Sequence, residues 1–102
     1  MGSYFGGKAF RNLAEADRRM AYQAQYQALE KGRSGETTSW RNPDSGNAGH
    51  VTAYPAFSAN NNAPCRRFTH VVDLMGSGEV TEAKGVACRN PDGSWRLVQD
   101  GG

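Results

Sequence analysis

Apolar and polar positions follow two different periods in the two parts of this chain. From about residue 13 to 31 the period is helical: Leu13, Ala16, Met20, Ala24 and Ala28 recur at i, i+3 and i+4, with Tyr22, Tyr26 and Leu29 forming a stripe beside them. The stretch holds no Pro, Gly or β-branched residue, so intrinsic propensity agrees with the period. Asn12 is the expected N-cap, with Glu15 three residues on to reach back to the cap N–H. Lys31-Gly32 supplies a basic last turn and a glycine expected at positive φ just past the helix. Such a helix is built to lie on something, and its tyrosines suit a half-buried, sheet-packing surface better than a ligand-stacking one.

After Gly35 the period falls to two, in short stretches separated by Gly, Asn, Asp and Pro, which predicts an antiparallel sheet. The expected strands are roughly 36–41, 49–57, 66–74, 80–88 and 94–99. Between them, Asn42-Pro43-Asp44-Ser45-Gly46-Asn47 and Asn90-Pro91-Asp92-Gly93 are turns, because Pro presets φ, Asp accepts from backbone N–H two residues on, and Gly tolerates the left-handed region. Both turns carry Arg-Asn-Pro-Asp, with Trp40 before the first and Trp95 after the second; turn chemistry alone favours this composition, so the echo is weak support for duplication. Asn60-Asn61-Asn62-Ala63-Pro64 reads as an exposed loop and a natural site of proteolysis.

If 68–74 and 80–86 form a hairpin with Gly76-Ser77 at its tip, paired residues sum to 153, and so do the numbers of Cys65 and Cys88. The two cysteines then face each other on adjacent strands, where opposed β-carbons approach the separation a disulfide needs. A structural disulfide is the favoured reading, ahead of two reduced core thiols. A metal site comes last, since there is no Cys-x-x-Cys and two isolated His residues lack ligand spacing. A bridge across this loop adds on the order of 3 kcal/mol and implies an oxidising compartment such as a bacterial periplasm or cell surface.

Composition makes that staple matter. Of 102 residues 37% are apolar, but 13 are Ala, Ile is absent, and six Val, four Leu and four Phe must supply most of one thin core. A net charge of +2 argues against disorder, and a mean hydropathy of −0.73 with no long apolar run excludes a transmembrane span in this sequence. Residues 1–12, beginning Met1-Gly2-Ser3 and lacking the apolar stretch of an export signal, read as a flexible segment before a single domain over 13–100.

No constellation of residues points to catalysis. His50 and His70 have no nucleophile that spacing places beside them, Ser77 and Ser94 sit in turns where their hydroxyls have local partners, and the Gly-rich strings lack the strand-then-helix context of a phosphate loop. The expectation is therefore no enzyme, no catalytic residue, no cofactor and no metal. Arg accounts for nine of the twelve basic residues, with Arg18-Arg19 and Arg66-Arg67 adjacent, which raises nucleic-acid binding as an alternative. Interleaved carboxylates at Glu15, Asp17, Asp73, Glu79 and Glu82 count against it, and no nucleic-acid partner is expected.

Several strings resemble those of the 17 kDa surface antigen family of Gram-negative outer-membrane lipoproteins. They are Tyr26-Gln27-Ala28-Leu29-Glu30, Ser39-Trp40-Arg41-Asn42-Pro43-Asp44-Ser45-Gly46-Asn47, and the more specific Cys65-Arg66-Arg67-Phe68 and Gly85-Val86-Ala87-Cys88-Arg89-Asn90-Pro91-Asp92-Gly93-Ser94-Trp95. The resemblance implies an exported domain with bridged cysteines, preceded in such proteins by a lipid-modified Cys and a glycine zipper, whose end Gly2 to Gly7 looks like. It implies no reaction.

The resulting expectation is an α+β domain of the bacterial cell envelope, at the periplasm or outer-membrane surface, with one N-terminal helix on a twisted antiparallel sheet of four or five strands and one disulfide, Cys65 to Cys88. Trp40, Arg41, Arg89 and Trp95 are the candidate binding surface, although core and turn packing is the favoured role of both Trp residues. The expected partner is an envelope or cell-wall component or another envelope protein, with the membrane reached only through a lipid anchor. An inhibitor of a wall-degrading hydrolase is the other alternative.

Overall fold

The computed structural model describes residues 13–58, 63–76 and 78–100. The segment 1–12, including the Asn12 cap, lies outside the described residues, as do Asn60 to Asn62 of the expected loop and Ser77 of the expected hairpin tip. Among the described residues one helix, α1 (Glu15–Lys31), precedes six strands: β1 (Thr37–Arg41), β2 (Ala48–Ala53), β3 (Phe57–Ser58), β4 (Pro64–Leu74), β5 (Glu79–Arg89) and β6 (Trp95–Asp100). Their order across the sheet is β1-β2-β4-β5-β6, all antiparallel, with β3 pairing the start of β4.

The long hairpin β4–β5 has the register read from the sequence: pairs sum to 153 from Cys65↔Cys88 down to Leu74↔Glu79. Its connection is closed by the Gly78 N–H donating to the Leu74 carbonyl at 2.8 Å. Cys65 and Cys88 form a disulfide between these strands and are both buried. The predicted strand 49–57, in contrast, is two strands. Ala53 pairs Phe68 and Phe57 pairs Cys65, so three residues, Tyr54 to Ala56, face two on β4. Pro55, which has no N–H to give a ladder, stands in the middle of this bulge.

Successive residues on a strand point to opposite faces, so Trp40, Gly49 and Val72 share the inner face as one cross-strand row. Val51, His70 and Ala83 make the next row, and Ala53, Phe68 and Gly85 the one after. Small residues in these rows leave room for α1, whose Ala21, Ala24, Ala28 and Leu29 lie buried against them. At Gly49 the room is for Trp40: a Cβ there would lie 2.5 Å from the indole nitrogen.

The helix differs from its sequence reading in three ways. It starts at Glu15 with Ala14 in the cap position and no side-chain cap. Its buried line runs Asp17, Ala21, Ala24 and Ala28 with Gln25 and Leu29 beside it, whereas Ala16 and Tyr26 are exposed and Met20 half-buried. The inner stripe is thus turned by about one residue from the apolar one, because two of its positions are polar groups engaged with the sheet. Finally, Gly32 adopts φ −68°, not a positive φ. Glycine is needed there because a Cβ would lie 2.5 Å from the Ala28 carbonyl oxygen, against which the chain turns.

Candidate functional site

The polar side chains inside the molecule fall into three groups along α1. At its start Asp17, 1% exposed, accepts hydrogen bonds from Asn42 Nδ2 (2.7 Å), Ser45 Oγ (2.8 Å) and Asn47 Nδ2 (2.8 Å). Burial raises its pKa, but these bonds, together with the Ala14 backbone N–H, outweigh it and hold the carboxyl below its ordinary range. Asn42 Oδ1 meanwhile accepts from the Asp44 N–H and Asn47 Oδ1 from the Met75 N–H, which fixes both amides with their donors toward Asp17. The first Asn-Pro-Asp turn is therefore a cage for a helix carboxylate as well as a strand connection.

At mid-helix Trp40 Nε1–H donates to His70 Nε2 at 2.9 Å. With Nε2 accepting, the neutral ring carries its proton on Nδ1 and donates to Gln25 Oε1 at 2.8 Å. His70 is fully buried, and burial first, then the nearby His50, push its pKa down to about 3. A neutral histidine with both nitrogens engaged is a structural group rather than a proton shuttle.

At the helix end Arg66, on the inner face of β4, caps the last turn. One guanidinium nitrogen donates to the carbonyls of Ala28 (3.2 Å), Leu29 (2.9 Å) and Gly32 (2.9 Å), and Nε donates to Tyr54 O at 2.8 Å. The Ala28 carbonyl also accepts from the Gly32 N–H at 3.0 Å, the carbonyls that follow it lie past the last intrahelical bonds, and a cation suits the negative end of the helix dipole. Beside them Glu30 accepts from Trp95 Nε1 at 3.0 Å and pairs with Arg89 at 2.8 Å, which keeps its carboxyl below the usual range. Arg89 also stacks 4.6 Å from the Trp95 ring and donates to the Gly93 carbonyl, clipping the second Asn-Pro-Asp turn.

The four residues singled out as a binding surface thus separate into two pairs. Trp40 and Arg41 belong to β1, and Arg89 and Trp95 to β5 and β6 at the other side of the sheet. Trp40 and Trp95 are buried, Arg89 is half-buried in its ion pair, and Arg41 alone is exposed. Arg41 lines an open depression of the outer face with Ser39, Ala48, His50, Asp73 and Val80. A second depression, about 430 Å³ and also open, is lined by Tyr54, Arg67, Thr69, Lys84 and Val86. Sequence reasoning missed Arg67 and Lys84 as neighbours, although the 153 register that paired the cysteines also puts Arg67 opposite Val86 and Lys84 opposite Thr69. It missed Arg66 as well, whose inward direction follows from its even spacing with Phe68, His70 and Val72.

Among the described residues no group of three or more His, Cys, Asp or Glu is placed to hold a metal, and no helix is long and apolar enough to cross a membrane.

Residues 27–96 match a family described as "17 kDa outer membrane surface antigen". Among individual proteins, the chain is 42% identical over 86 residues to the 17 kDa surface antigen of Rickettsia bellii (strain RML369-C), covering 84% of this chain and 53% of that protein. The 17 kDa surface antigen of Rickettsia conorii is 41% identical over the same shares, and that of Rickettsia prowazekii 40% identical over 82% of this chain and 52% of its own. The chain thus spans about half the length of the curated relatives it matches. No solved structure matches. With a match over most of its length and relatives above 40% identity, this chain belongs to the 17 kDa outer membrane surface antigen family.

Proposed function

We propose that this chain is a non-enzymatic domain of the bacterial cell envelope that acts through the outer face of its sheet, in a structural or binding role toward an envelope or wall component or another envelope protein. The observation that carries this reading is the use made of the interior polar groups. Asp17, His70, Arg66 and Glu30 are each engaged in fastening α1 to the sheet and its turns, and the depression of about 550 Å³ that Arg66 and Glu30 line with Arg89 and Trp95 is open rather than enclosed. The shape of the molecule supports a surface role too, since the depressions of the outer face are open and one of them carries Arg67 and Lys84, neither in an ion pair among the described residues. The relatives are named as surface antigens, which supports a place in the envelope, and the disulfide suits an oxidising compartment. Attachment to the membrane through a lipid anchor in the full-length protein is part of the reading.

Retention on washed Gram-negative envelope fractions tests it. The wild-type domain is expected to be retained, and a variant with Arg41→Glu and Arg67→Glu to be retained several-fold less with an unchanged melting temperature. Equal retention of the two, or turnover of a wall, ester or phosphoester substrate by the wild type, would overturn it. Arg89→Ala is not a clean probe, because Arg89 holds Glu30 and the second turn.

A further inference from the structure

The half of the outer face nearer the disulfide carries three exposed cations. At the end nearer the disulfide stand Arg67 on β4, Lys84 on β5 and Arg96 on β6, all exposed. The register brings them together. Arg67 is opposite Val86, which makes Lys84 its diagonal neighbour at about 7–8 Å. Arg96 is opposite Cys88, and so stands diagonal to Val86 from the other side. Among the described residues none of the three has a carboxylate within ion-pair distance, the ion pairs being Arg19–Glu15 and Arg89–Glu30. Among the side chains described, the carboxylates of this face are Asp73 and Glu82, on the side of the β4–β5 connection, with Glu82 two residues from Lys84 on β5. Next to the cations are two exposed aromatics: Tyr54, 40% exposed in the same depression as Arg67 and Lys84, and Phe57, 37% exposed, with the Arg67 guanidinium 4.9 Å from its ring.

We propose that this end of the outer face docks on anionic phospholipid headgroups at a membrane surface. The inference rests on the envelope reading above and names the component. Three cations on three adjacent strands present a flat array to phosphates that lie in a plane, each worth a favourable increment near an anionic bilayer. Exposed Tyr and Phe beside such cations suit the boundary where one end of a side chain is apolar and the other wet. An extended nucleic acid or polysaccharide chain following the strands would instead run onto Asp73 and Glu82. One face of Phe57 is covered by Arg67, which takes it from base stacking and leaves its edge for the interface.

Co-sedimentation with vesicles of equimolar phosphatidylglycerol and phosphatidylethanolamine tests the proposal, with phosphatidylcholine vesicles as the neutral control and dextran sulfate as the soluble polyanion. The wild-type domain is expected to bind the anionic vesicles alone, less tightly as salt rises. Replacing all three cations (Arg67→Gln, Lys84→Gln, Arg96→Gln) should weaken binding about 100-fold at low salt. A second triple variant on the helix and the loop after it (Arg18→Gln, Arg19→Gln, Arg33→Gln) has the same net charge and should bind within a few-fold of wild type, and circular dichroism melts should show both variants folded. Absence of wild-type binding, equal weakening by the two variants, or tighter capture of dextran sulfate than of vesicles would overturn it. Loss of vesicle binding with envelope retention intact would refute the lipid docking and leave the envelope role standing.

Discussion

His70 makes stability depend on pH in a window where few other groups titrate. Its ring is fully buried, Nε2 accepts the Trp40 indole N–H, and Nδ1–H donates to Gln25, so a second ring proton would meet a donor head-on in a place without water to solvate it. With the folded pKa near 3 and an unfolded value of 6.5, the unfolded chain binds a proton between those limits that the folded chain refuses. Stability from this source is therefore complete above about pH 6.5 and falls as pH drops toward 3, at about 1.4 kcal/mol per unit. Between pH 6.5 and 5 the expected loss is about 2 kcal/mol, a large share of the margin of a small domain. Asp17, Glu30 and Asp92, whose carboxyls lie below their ordinary range, add losses mainly as pH falls through their ordinary values of 3.8 for Asp and 4.5 for Glu, so the interval from pH 7 to 5 isolates the imidazole. Urea unfolding at half-unit steps across that interval, in a His50→Gln background that leaves His70 as the one histidine, measures the slope. Nitrogen-15 NMR of the ring should show the Nδ1–H tautomer unchanged to pH 5. A flat stability profile from pH 7 to 5, or a His70 resonance titrating near 6.5, would refute the reasoning.

Ala24→Asp puts an unpaired charge against the sheet and should cost roughly 2–4 kcal/mol, while Gln23→Asp on the exposed side should cost under about 1 kcal/mol; equal shifts in urea midpoint would mean that α1 does not pack on this face. Arg66→Gln takes away the donor to the carbonyls of Leu29 and Gly32, leaving Ala28 its Gly32 N–H, and is expected to cost about 2–4 kcal/mol, with faster amide exchange concentrated in the last turn of α1; exchange raised evenly along the helix would contradict a capping role. The Cys65–Cys88 bond should block thiol alkylation of native protein, as read by mass spectrometry, and its reduction should lower unfolding free energy by about 3 kcal/mol; two thiols alkylated without reduction would show the bridge absent.

What the sequence determined by itself is what depends on local or pairwise rules. A period of 3.6 without breakers gives α1, a period of two between Asn-Pro-Asp turns gives the sheet, and one hairpin centre brings every opposed pair of β4 and β5, cysteines included, into register by arithmetic. Pro55 belongs to the same kind of signal, since its missing N–H explains why the stretch 49–57 divides into β2 and β3. Tertiary structure alone decided which polar residues go inside. Apolar pattern locates a buried stripe by hydrophobicity, yet Asp17 and Gln25 occupy it because their partners, Asn42 and His70, lie 25 and 45 residues away. A buried polar group is tolerated only where partners converge on it, and that convergence is a property of packed elements rather than of spacing along the chain. The same reason separates Trp40 from Trp95. Their turns look alike as strings, but each is fastened to a different end of α1, by Asp17 and by Glu30, on opposite sides of the sheet.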